Sequence, residues 1–217
     1  MTAGDAGGIA WGRASSGDTS PPGALDTLTP PPSARMRLPA RLRRARQVVA
    51  VTVHLPEFLL ATAGLLQRLA AAKIQVDVLV AADAAPAADR SAAIALSRLE
   101  VPGVRRHRLA LPLPIGPDRV DDLLAGLSEL VGFDPEPGVF CMAPAMGGGS
   151  GEALAEAAER ICEVYQLPLL RYPATPGGSA TDLELDTAEW TRKCAALDAC
   201  ATQVTPLSGR LEHFGMG

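Results

Sequence analysis

From residue 48 onward, apolar and polar positions alternate between two rhythms. Val48-Val49-Ala50-Val51-Thr52-Val53 is a nearly unbroken apolar run that ends on His54. Such a run predicts a parallel strand covered on both faces. Over 57–72, Leu59, Leu60, Leu65, Leu66 and Leu69 recur at helical spacing. The alternation then repeats. A strand is predicted over 76–81, with Asp83 just past its end, then a helix over 88–100 and a more exposed strand over 105–111. A helix follows over 117–131, with Pro117 in its first turn. The remaining elements are a strand over 138–142, a helix over 151–165, a strand over 167–172 and a helix over 187–201. Strands and helices alternating at this spacing predict an α/β fold, a mostly parallel, Rossmann-like three-layer sandwich. Ligands of such sheets bind beyond the carboxyl ends of the strands. His54 and Glu57 are therefore the leading site candidates.

The rhythm is missing upstream. Pro21-Pro22 and Pro30-Pro31-Pro32 exclude regular helix, and the first 34 residues or so lack the apolar side chains to offset their ordering entropy. Arg35, Arg37, Arg41, Arg43, Arg44 and Arg46 follow in close succession. Residues 1–46 are thus expected to form a disordered arm, Pro/Gly-rich and then Arg-rich, ahead of one domain over 47–217. A basic arm suits nucleic acid, but no aromatic side chains interleave with these arginines and the chain carries a net charge of −4. A solvated or salt-bridged lead-in to the first strand is the expected role, and nucleic acid is not the expected partner. At 47% hydrophobic but only 4% aromatic, the core must be built from Ala, Leu and Val. No uncharged apolar run reaches the roughly 18 residues a membrane helix needs. Met1-Thr2-Ala3-Gly4-Asp5 does not open a secretory leader. Cys141, Cys162, Cys194 and Cys200 show no CxxC spacing, so neither a zinc knuckle nor a disulfide framework is indicated. These features predict a cytoplasmic protein with reduced thiols.

The dinucleotide fingerprint is absent, since His54-Leu55-Pro56-Glu57-Phe58 stands where a GxGxxG turn would follow the first strand. Gly147-Gly148-Gly149-Ser150-Gly151 opens a helix and is suited to hold an anionic ligand group. It lacks the Lys-Ser/Thr of a P-loop. The stretch Val53-His54-Leu55-Pro56-Glu57-Phe58-Leu59-Leu60-Ala61-Thr62-Ala63-Gly64 resembles the signature of the PIG-L/LmbE-like de-N-acetylases, whose first strand ends in His-Pro-Asp-Asp-Glu or His-Leu-Asp-Asp. Val139-Phe140-Cys141-Met142-Ala143-Pro144-Ala145-Met146-Gly147-Gly148 is similar to that family's approach to its second metal motif. Leu169-Leu170-Arg171-Tyr172-Pro173 resembles the strand after it, and the stretch from Lys193 to Val204 the helix ending in Arg-Ser-Gln. The resemblance implies a metal-dependent amidase of N-acetylated amino sugars, with zinc held by two histidines and an aspartate beside a catalytic aspartate.

Carried over residue by residue, the resemblance puts His54 at the first ligand, Pro56 at the catalytic aspartate, Glu57 at the ligand aspartate and Glu152 at the last ligand histidine. Proline cannot accept a proton. The leading expectation is therefore a degenerate de-N-acetylase-fold protein, without family-type hydrolysis and without a cofactor. It would act as a binding or partner subunit for a small-molecule ligand or a paralogous protein. The alternative is a metal-dependent N-acetyl amide hydrolase using a divalent metal, zinc foremost, on a rearranged His54, Glu57 and Glu152 site. Asp83 is its alternative base. Against the metal set stands a structural reading. Pro56 and Glu57 suit a first helical turn, and Ser150 and Glu152 the start of another. His107 is expected on a solvated edge-strand face, His213 in a surface tail position and Cys141 as a small buried hydrophobe. A Cys141–His54 nucleophile pair is the remaining option.

Overall fold

The computed structural model describes residues 38, 40–145, 149–173, 181–200 and 210–216. The Pro/Gly-rich stretch over 1–34, Arg35, Arg37, Gly147 and Gly148 lie outside these residues. A short 3-10 turn at Leu42–Arg44 comes before the first strand, and its Leu42 is buried with Ala45 in the core. The strands are β1 (Gln47–Thr52), β2 (Gln75–Ala82), β3 (Val104–Leu111), β4 (Val139–Pro144), β5 (Leu169–Tyr172), β6 (Thr181–Glu184) and β7 (Leu211–Met216). The helices are α1 (Leu55–Ala71), α2 (Pro86–Arg98), α3 (Val120–Val131), α4 (Ser150–Tyr165) and α5 (Thr187–Ala199).

The sheet order is β3-β2-β1-β4-β5-β7-β6. The first five of these are parallel, with Val48 opposite Val76 on one side and Phe140 on the other. β7 then runs antiparallel to β5, and β6 antiparallel to β7. The alternation within each parallel strand explains the two helical layers. Val48, Ala50, Val76, Val78 and Val80 face a core shared with α1, α2 and α5. Val49, Val51, Leu79 and Ala81 face the core under α3 and α4. The fold is the predicted three-layer α/β sandwich.

Two strands went unpredicted, β6 and β7, and they move His213 out of its expected tail position. In β7 it stands opposite Asp182 of β6, with Nδ1 2.8 Å from Asp182 Oδ1. Its neighbours Glu212 and Phe214 are buried. Glu212 fastens the strand to two helices. Its Oε1 accepts from Gly64 N at 2.9 Å and from Lys193 Nζ at 2.8 Å, and its Oε2 accepts from Leu65 N at 3.0 Å. Gly64 is required there, because a Cβ would lie 2.7 Å from Leu185 Cγ and 3.1 Å from Glu212 Oε2. A second buried pair, Arg68 to Glu189 at 2.8 Å, ties α1 to the start of α5. The same Glu189 closes a capping box with Asp186.

His107 also departs from expectation. It lies on the edge strand β3, but its Nε2 is 2.9 Å from Oδ1 of the buried Asp77. Burial pushes the Asp77 carboxyl up. Its hydrogen bonds with Arg105, Gln75, His107 and Gln47 more than reverse this and hold it well below the usual carboxylate range. No helix among the described residues is long and apolar enough to cross a membrane.

Candidate functional site

In the order 3-2-1-4-5, the chain changes direction between β1 and β4, and open α/β sheets offer their binding crevice at that switch. β1 delivers His54 there. The residue is extended, at φ −131° and ψ 144°, and caps α1 through its backbone while Thr52 Oγ1 donates to its carbonyl at 3.0 Å. Leu55, Pro56 and Glu57 then form the first turn of α1. The ring of Pro56 needs no hydrogen-bond acceptor there, and the Glu57 carboxylate meets the positive end of the helix. The helix begins earlier than the predicted 57 for that reason.

His54 and Glu57 form a ridge between two cavities. On the α2 side, one of about 320 Å³ runs under Leu55, Val80 and Ala92, with Arg106, Arg108 and Cys200 at its edge. On the β4 side, one of about 390 Å³ is lined by Thr52, Ala145, Ser150 and Tyr172. The Tyr172 hydroxyl donates to the Val51 carbonyl at 2.5 Å, and burial pushes its pKa well up, so it serves as a fixed wall.

The predicted site residues are only partly brought together. Glu57 and Ser150 reach the β4-side cavity with His54, whereas Glu152 is exposed in the first turn of α4 and lines neither cavity. Ser150 does not cap its helix. Its Oγ accepts from Ile115 N at 3.0 Å and so fastens the loop after β3. Gly149, at φ 68°, is the N-cap residue. Asp83 is exposed, takes Ala84 N on Oδ1 at 2.9 Å and pairs with Arg108 at 3.2 Å. It lines neither cavity and acts as a turn-starting aspartate. Cys141 is buried in the layer under α4 beside Cys162, which with burial drives its thiol far up, so it is no partner for His54. The thiol that does reach the His54 cavity is Cys200, raised by burial.

Arg106, Arg108 and Asp89 were not singled out from the sequence. Arg106 and Arg108 stand opposite Val78 and Val80 in the register, and their i, i+2 spacing puts both on the α2 face. There they converge on Asp89 at 3.1 and 3.2 Å, so that carboxylate and those guanidinium groups largely offset one another.

The metal implied by the resemblance can be tested on donor chemistry. Pro56 contributes no donor, and Glu152 is exposed and lines neither cavity beside His54. Among the described residues, no group of three His, Cys, Asp or Glu side chains is placed to hold a metal ion. The rearranged His54, Glu57 and Glu152 set does not fit one.

No protein-family model matches the sequence, and no curated protein matches it as a relative. Solved structures do match. A deacetylase of the teicoplanin biosynthesis pathway, in complex with teicoplanin, is 17% identical at a TM-score of 0.55, over 77% of this chain and 96% of that one. The N,N'-diacetylchitobiose deacetylase of Pyrococcus horikoshii is 14% identical at 0.58, over 86% and 89%. The chain shares the fold of these deacetylases. A 4-carboxy-2-hydroxymuconate hydratase from Pseudomonas putida shares it as well, 14% identical at 0.55 over 79% of this chain and 95% of that one. At such identities the likeness concerns the fold, and the chemistry has to be argued from the site.

Proposed function

We propose that this protein is a ligand-binding variant of the deacetylase fold that lacks family-type amide hydrolysis and works as a binding or partner subunit. The observation that carries the reading is the loss of converging donors around His54. Pro56 stands in the first turn of α1 where the resemblance calls for the proton acceptor, and a pyrrolidine amide has no basic atom to offer. Glu152, at the last ligand position, is exposed to solvent. The cleft itself persists. Both cavities beside the His54–Glu57 ridge have the volume of small-molecule sites. On the α2 side, Leu55, Val80 and Ala92 present an apolar floor, and the charges at the edge are spent on one another. That cavity suits a compact, mainly apolar molecule with one polar group for His54 or Glu57.

The test combines three measurements on the full chain. Elemental analysis of protein purified without a metal-binding tag, after incubation with excess zinc, is expected to find no stoichiometric metal. N-acetylated amino sugars are expected to release no acetate. An environment-sensitive apolar dye is expected to bind and to be displaced by Ala88→Phe, a change at the exposed mouth of the α2-side cavity. One equivalent of zinc that is lost on His54→Ala, together with acetate release, overturns the reading in favour of the hydrolase.

A further inference from the structure

The opposite end of the sheet carries another basin, lined by apolar side chains and by several charged ones. The 3-10 turn at Leu42–Arg44, the loop before β4 and the end of α4 surround a cavity of about 930 Å³ over the starts of the central strands. Three arginines line it, Arg41, Arg44 and Arg46, and Glu136 is the one carboxylate among the lining residues. Arg46 Nη1 sits 2.9 Å from Glu136 Oε2, so those two charges offset each other. The guanidinium groups of Arg41 and Arg44 have no acceptor among the described residues, and neither does the hydroxyl of Tyr165, which lines the same cavity. Nearly every other described arginine donates to a carboxylate, a carbonyl or a hydroxyl. Arg90, on the exposed face of α2 and outside this basin, is the exception.

Two guanidinium forks and a phenol hydroxyl therefore open on one cavity as donors without acceptors. Like charges facing one space repel, and Glu136, the one carboxylate among the lining residues, is already committed to Arg46, so no other lining residue compensates Arg41 and Arg44. A guanidinium presents parallel N–H groups that match the oxygens of a phosphate or a carboxylate. Pro135, Pro137, Leu167 and Pro168 supply apolar surface for the rest of a ligand.

We propose that this basin binds a small organic dianion, a phosphate ester or a polycarboxylate, gripped by Arg41 and Arg44 with Tyr165 donating a further hydrogen bond. The site is independent of His54 and stands whether or not the reading of that cleft holds.

The experiment is calorimetric titration of the full chain with inorganic pyrophosphate and, separately, with citrate. Arg41→Ala/Arg44→Ala and Arg90→Ala are the variants. All three arginines are exposed, so both variants are expected to keep the wild-type circular dichroism. At least one anion is expected to bind, with affinity falling about tenfold or more in the double variant and staying within about twofold in Arg90→Ala. Binding of pyrophosphate alone assigns a phosphate ester, and binding of citrate alone a polycarboxylate. No binding of either up to about 10 mM overturns the proposal. So does a loss in the double variant no greater than two Arg90→Ala losses compounded, which would mark a general effect of net charge.

Discussion

Lys193→Met is the sharpest probe of how the C-terminal strand is held. Lys193 Nζ lies 2.8 Å from Glu212 Oε1, and both side chains are only 1% exposed. Without the ammonium, the carboxylate keeps the backbone donors Gly64 N and Leu65 N but stays buried and uncompensated. Breaking a buried pair from one side costs about 3–5 kcal/mol. For a chain of this length, about 2–4 °C of melting temperature accompanies each kcal/mol, so a fall of roughly 6–20 °C is expected by scanning calorimetry. Burial already pushes the Glu212 carboxyl up against the pull of Lys193. Removing Lys193 raises it further. An acid whose folded pKa is raised contributes stability that is full below its unfolded pKa and lost as pH rises. The gap between Lys193→Met and wild type should therefore narrow near pH ~4 and widen at pH ~8. Lys193→Met/Glu212→Gln removes both charges and should be more stable than the sum of the single losses by about 0.5–3 kcal/mol. A shift below about 2 °C for Lys193→Met, or strict additivity in the double variant, would refute the argument.

Gly64→Ala gains about 1 kcal/mol of helix propensity, but its Cβ lands 2.7 and 2.8 Å from Leu185 Cγ and Cδ1. With Leu185 buried, overpacking of about 1–3 kcal/mol is expected to win. A melting temperature above wild type would contradict this. Asp77 is held well below the usual carboxylate range, so its contribution is present above its unfolded pKa of about 4 and lost as pH falls through the folded value. Asp77→Asn should thus flatten the acid side of a stability profile measured by denaturant midpoints between pH 7 and pH 3. An unchanged acid side would remove Asp77 from the account. Tyr172→Phe keeps the edge-on contact with Phe58 at 5.2 Å but leaves the Val51 carbonyl without its donor. A loss of about 1–3 kcal/mol in urea unfolding is expected, and no loss would mean that water replaces the hydroxyl.

The central strands were legible because a strand buried on both faces is mostly apolar, and Val48–Val51 and Val78–Ala82 are so, with Asp77 the one charged residue near the start of β2. β6 and β7 were not. Thr181-Asp182-Leu183-Glu184 is short and mostly polar, and Leu211-Glu212-His213-Phe214 carries a carboxylate at an inward position. Glu212 points inward only because Gly64 leaves room and Lys193 meets it from another helix. No local pattern records that triple coincidence. In the site, His54 and Glu57 were legible from their place at a strand end, and Arg106 and Arg108 would have been from their i, i+2 spacing beside a buried strand. Whether Glu152 converges on His54 depends on how α4 presents its first turn, and there the Ser150 hydroxyl is taken by Ile115 N while Glu152 faces solvent.

The start of α1 joins the folding argument to the functional one. A proline in the first turn costs the helix no hydrogen bond, so a residue without a proton acceptor is one the fold accepts there without penalty. The same holds at α4, where an acidic residue in the first turn favours the helix whether or not it reaches a metal. Folding alone therefore exerts no pressure to keep the residues that hydrolysis would need. Two other features do carry a cost. The cavities beside His54 forgo packing contacts, and Arg41 and Arg44 face one basin without a counter-charge among the described residues. Deacetylases and a hydratase share this fold, so the architecture alone does not fix the chemistry. Both features are where the proposed binding roles would be exercised.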